Sequence, residues 1–173
     1  MNFFQRISMT GCAGVLAALL LSGSSAWAFG AELSRFSMAE IRAVTVRIEG
    51  NIEKELDQEG LTKDKLKVDV ESQLQRSGIA LLSDLEFLEA KQRPMLSVTI
   101  NTLKHGNGYV FSVTSRLYQH VYLIKQSRDK TYPATTWSST GTMGIFYDPE
   151  DLRDLIKEAV DEFITAYRSS HPG

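Results

Sequence analysis

The sequence predicts an α/β chain of the α+β type: a mostly antiparallel sheet of four to five strands, with two main helices packed on one face. Three stretches carry that prediction. Val44, Val46 and Ile48 alternate with Thr45, Arg47 and Glu49, the period of a half-buried strand. Pro94 to Lys125 reads as a strand, a glycine turn and a second strand of unusual length. Beyond Asp148, apolar residues recur at spacings of three and four, the stripe of a helix that must pack on a sheet.

The first 28 residues carry Arg6 as their only charge, then an apolar run from Cys12 to Leu21, then SGSSAWA ending at Ala28. That order of charge, apolar core and small residues is a secretory signal peptide over residues 1–28, with cleavage after Ala28. The apolar run falls short of the roughly 20 residues that span a bilayer. MTGC, Met9 to Cys12, has the look of a lipoprotein acylation box, but the apolar core follows the cysteine where such a box needs it before. Lipid anchoring at Cys12 is therefore not expected. Residues 29–173 are expected to form a single periplasmic or secreted domain with no membrane span. With Cys12 removed they hold no cysteine, so no disulfide, thiol nucleophile or thiolate metal site is expected. Their 18 basic and 21 acidic residues give a net charge of −3, which disfavours nucleic acid or anionic lipid as the main partner.

After the first strand, Gly50 and Asn51 stop the chain, and Ile52 to Gly60 is a charged connection of undetermined state. Thr62 suits a helix N-cap, with Asp64 near the positive helix end. Leu66, Val70 and Leu74 line one face, and Gly78 stands where a left-handed C-cap belongs. Ile79 to Leu82 is a short apolar strand, in position for a right-handed crossover that gives one parallel pair. Ser83 and Glu86 have capping-box spacing, and Leu85 and Leu88 are expected to anchor a short helix that Pro94 ends. The run VESQLQRSGIALLSDLEFL, Val70 to Leu88, resembles the helix, Ser-Gly stop, strand and short helix of TolB-type amino-terminal periplasmic domains and related envelope-assembly modules. That resemblance implies a small periplasmic α/β module serving as an adaptor, and it carries no residue roles with it.

In the hairpin, Leu96, Val98 and Ile100 are expected in the core, and HGNG supplies the turn. The long strand, Tyr109 to Ile124, sets Tyr109, Phe111, Val113, Leu117, Val121 and Leu123 on one face, with Gln119 as a polar interruption that is either a satisfied core amide or the point where the strand leaves the core. Its length requires a bend, a bulge or an overhang past its neighbour. A polar, partly basic connection with Lys125, Arg128, Asp129 and Lys130 leads into one further strand from Pro133 or Ala134 to about Phe146, where Gly141 and Gly144 are expected to mark bulges or close backbone approach. Asp148 caps the last helix, Pro149 takes its first position, and Glu150 and Asp151 complete an acidic first turn. Arg153, Asp154, Lys157, Glu158, Asp161 and Glu162 are expected to face solvent.

No residue set in the sequence demands a particular chemistry. His105, His120 and His171 have no metal-ligand spacing, and the serine-rich runs lack the GxSxG turn of a nucleophile. No cofactor is implied. The informative feature is the second face of the long strand, where Arg116, Tyr118, His120 and Tyr122 succeed one another, with Trp137 expected near them from the next strand. Such a stripe is either covered by the mature N-terminal segment, through Phe36, or left for a partner; a bulge that rotates the register would instead send some of these rings into the core. The sequence therefore points to a non-catalytic binding or adaptor module whose partner is an envelope protein, using Arg116, Tyr118, His120, Tyr122, Trp137 and the basic residues Lys125, Arg128 and Lys130. Two alternatives stand beside it: a small hydrolase or ligand-binding enzyme with His120 as base near Arg116, and a structural protein that self-associates through the aromatic face or an open sheet edge.

Overall fold

A computed structural model describes residues 36–125 and 130–172. Residues 1–28, expected as a signal peptide and containing Cys12, and Arg128 lie outside them. The described chain runs β1 (Ala43–Glu49), α1 (Lys54–Gln58), α2 (Lys63–Arg76), β2 (Ala80–Leu81), α3 (Asp84–Glu89), β3 (Met95–His105), β4 (Gly108–Tyr122), β5 (Thr131–Ser138), β6 (Thr142–Phe146) and α4 (Pro149–Ser170).

The sheet is mixed and has six strands, against the expected mostly antiparallel four or five. Its order is β2-β1-β3-β4-β5, with β6 also on β4. β1 pairs in parallel with both β2 and β3, because helical crossovers separate these strands in sequence. The remaining pairs are antiparallel. The extra strand comes from the stretch expected as one strand up to Phe146. A turn at Gly141 splits it, so that β6 pairs with residues 109–113 of β4 and β5 with residues 116–122. Ser139 spans the break: its N–H donates to Ser115 O at 2.8 Å and its Oγ accepts from Ser115 N–H at 2.9 Å. The long strand β4 is thus paired nearly end to end, and it overhangs β3 only beyond Tyr118, which faces Met95 at the start of β3.

α2 and α4 pack on one face of the sheet. Leu66, Val70 and Leu74 of α2 and Leu152, Ile156, Ala159, Val160, Phe163 and Ile164 of α4 are buried against Val44, Val46, Leu96, Val98, Ile100, Phe111, Val113 and Leu117. The caps fall where local sequence puts them. Thr62 Oγ1 accepts from Lys65 N–H, Ser83 and Glu86 form a reciprocal capping box, and Asp148 Oδ1 accepts from Glu150 N–H. Each such cap stabilises its helix by about 1 kcal/mol. The charged connection after β1 holds α1, whose Leu56 is fully buried. Glu55 of α1 is clamped to the hairpin by Lys104 Nζ and by Tyr109 Oη, which donates at 3.1 Å.

Several expectations are corrected. α3 buries no residue, and Leu85 and Leu88 project into solvent, because this one-and-a-half-turn helix touches the sheet only at its side. β4 ends at Tyr122, leaving Leu123 exposed instead of in the core. The polar face of α4 is partly engaged: Arg153 pairs with Asp69 of α2 at 3.0 Å, Gln73 donates to Asp161 at 2.9 Å, and Thr140 N–H donates to Glu162 at 3.0 Å. Gln119 is a satisfied core amide. It donates to Gln92 Oε1 at 3.2 Å and accepts from Thr136 Oγ1, while Gln92 donates on to Glu40 at 3.0 Å.

Candidate binding face

Because both long helices lie on one side, the alternate residues of β1, β3, β4 and β5 form a second face. On β4 these are Val110, Ser112, Thr114, Arg116, Tyr118, His120 and Tyr122, of which Arg116, Tyr118 and His120 are half-buried and Tyr122 is exposed. Arg47 of β1, Ser97 of β3 and Arg116 stand in one row across the sheet. Ser97, between the two guanidinium side chains, is fully buried and donates to Glu49 Oε2 at 2.9 Å. Neither arginine forms an ion pair among the described residues. The long stems of arginine cover sheet surface while their charged ends stay in water.

Trp137 is not on this face. A bulge in β5 leaves Thr136 as an extra residue between the pairs Leu117–Trp137 and Tyr118–Thr135. One extra residue reverses the alternation of everything beyond it. Thr135 and Pro133 therefore stand beside Tyr118 and His120, while Trp137 turns under the sheet and meets Phe163 edge-on with ring centroids 5.4 Å apart. The bulge lies in β5, so it leaves the β4 rings on the outer face. Nor does Phe36 cover them: its side chain is largely exposed, and the neighbouring Ser37 donates to Thr136 O at the rim.

At the overhanging end of β4 the strand partner is replaced by the α3–β3 connection, where Gln92 O accepts from His120 N–H at 2.6 Å. An open depression of about 560 Å³ lies here, lined by Lys91, Arg93, His120, Lys130 and Glu89 among others. Arg93 is the one non-glycine with positive φ among the described residues, at 44°. Lys125 is exposed in the turn after β4. His120 Nδ1 lies 3.0 Å from Thr131 Oγ1. Arg116 is two rows along the same face, about 13 Å away at ~3.3 Å per residue, so the structure does not bring the His120–Arg116 pair together.

The other end of the face carries an aliphatic row that no local signal in the sequence singles out. Leu103 of β3, Val110 of β4 and Ile145 of β6 stand in register across three strands, 64%, 39% and 54% exposed. Their alternation was legible, since Leu103 shares parity with Thr99 and Val110 with Arg116, but each is a lone aliphatic at the end of its strand. Among the described residues no three metal-ligating side chains converge, and no helix is long and apolar enough to cross a membrane. No protein-family model matches this chain and no curated protein matches it, so the reading of this face rests on its own geometry.

Proposed function

We propose that this chain is a periplasmic binding module, an adaptor without catalytic chemistry, that engages an envelope protein through the outer face of its sheet. One observation carries the proposal. The two long helices bury a single face, and the opposite face carries Arg47, Arg116, Tyr118, His120 and Tyr122, of which Arg47 and Tyr122 are exposed and the rest half-buried. A half-exposed tyrosine row beside unpaired guanidinium groups has the composition of an interface centre, where aromatic residues and arginine dominate binding energy. The basic rim formed by Lys91, Arg93 and Lys130 extends this face, and Lys125 is exposed in the turn after β4. The export segment and the resemblance to envelope-assembly modules supply the compartment.

The test is a photo-crosslinker at position 118, followed by affinity measurement with the protein it captures. Tyr118→Ser with Tyr122→Ser should weaken that complex by about 30-fold or more, the scale of losing hot-spot contacts of 2 kcal/mol. The melting temperature should change little. A large loss of stability with unchanged affinity would show that the rings are structural and sink the proposal.

A further inference from the structure

β6 presents an edge that the binding face does not account for. It pairs with β4 on one side, and among the described residues no strand pairs on the other. An open edge is a template for another strand, and sheets normally blunt it with charge, proline or a bulge. This chain does so elsewhere. β5, on the same side of β4, carries Pro133 and the bulge at Thr136, and the open stretch of β1 carries Arg47 and Glu49. β6 has none of these: from Thr140 to Tyr147 there is no charged residue and no proline. Its outward side chains are Met143, 82% exposed, and Ile145.

We propose that β6 pairs antiparallel with β6 of a second copy of this chain, about a twofold axis at Gly144, and so continues the sheet across a dimer. The strand is complementary to itself. Centred on Gly144, Met143 of one copy faces Ile145 of the other and Thr142 faces Phe146, so no like charges meet. Gly144 lies against the ring of Phe111, where a Cβ would come within 3.1 Å, which leaves the axis free of side chains. On the outer face the row Leu103–Val110–Ile145 runs on into Met143 of the second copy, so that Ile145 and Met143 each gain an aliphatic neighbour across the axis. A twofold pair uses the same single open edge on both copies and so closes at the dimer. With only five residues per strand the contact falls below the roughly 1,200 Å² of a standard interface. The dimer is therefore concentration-dependent. This inference is independent of the proposed binding face.

Sedimentation velocity over a roughly hundredfold concentration range should show the mass doubling, and amide exchange of residues 142–146 should slow in step while that of β5 does not. Met143→Lys with Ile145→Lys sets lysine opposite lysine and should hold the protein monomeric with an unchanged melting temperature. Mixing that variant with Met143→Glu/Ile145→Glu should restore a dimer. A single mass at all concentrations, β6 exchange that ignores concentration, or a dimer that survives the lysine pair would each overturn the proposal.

Discussion

The row Arg47–Ser97–Arg116 exists only if β1 sits correctly on β3, and Gly50 is where that seating is most exposed to perturbation. Gly50 ends β1 with φ +93°, and a Cβ added there would lie 2.0 Å from Ile100 O, with Ile100 C and N at 2.7 and 2.9 Å. Gly78, which closes α2 with φ +82°, has nothing within 4 Å of the same added atom. Alanine at either site carries the left-handed backbone cost of about 1–2 kcal/mol. Only Gly50→Ala adds overlap with strand backbone. Relief requires the turn to retreat from β3, which strains the bond from Thr102 N–H to Asn51 O at 2.8 Å and that from Glu53 N–H to Thr102 Oγ1 at 2.9 Å. Losing both adds roughly 2 kcal/mol. Gly50→Ala should thus cost about 3–4 kcal/mol and Gly78→Ala about 1–2 kcal/mol. At roughly 3 °C per kcal/mol for a domain of this size, the melting temperatures should fall by about 10 °C and 4 °C. Thermal melting and urea titration of the two variants measure the difference directly. Equal losses would refute the claim that close approach to β3, and not backbone conformation alone, requires glycine at position 50.

Trp137→Ala should destabilise by roughly 2–3 kcal/mol, because the indole is partly buried against the core and meets Phe163 edge-on. A loss below about 0.5 kcal/mol, the range of ordinary surface substitutions, would return the ring to the outer face. The protein should also show a defined acid response. Glu86 is held below its ordinary value of 4.5 by the Ser83 N–H and then the Ser83 hydroxyl. Glu55 is likewise held below 4.5, by Lys104 and then by Tyr109. A depressed folded value means that this stabilisation is complete above pH 4.5 and disappears as pH falls through the folded values. Urea midpoints of Glu55→Gln/Glu86→Gln should therefore fall less steeply with acid than those of the unaltered chain; parallel curves would remove these two groups from the acid response.

Much of the fold was legible because its signals are local. Asp148–Pro149, the Ser83–Glu86 box and Thr62 mark helix starts through hydrogen bonds made within three residues. The alternation in β1, β3 and β4 sorted buried from outer residues, since successive side chains in a strand point to opposite faces. That alternation places the rings of Tyr118 and Tyr122 on the outer face, and they lie there. Leu85, Leu88 and Leu123 were misplaced because apolar character alone does not say whether a neighbouring element reaches the side chain.

By itself, then, the sequence determined which residues share a face within β1, β3 and β4, where α2, α3 and α4 begin, and which stripe of α4 is apolar. The tertiary structure decided how those faces are joined. It set Trp137 under the sheet through one extra residue at Thr136, and it divided the side of β4 between β5 and β6 at Gly141. It also aligned Leu103, Val110 and Ile145 into one exposed row from three separate segments. The physical reason is that alternation is a property of a single strand, whereas bulge, register and edge are properties of a pair, fixed by hydrogen bonds between residues far apart in the chain.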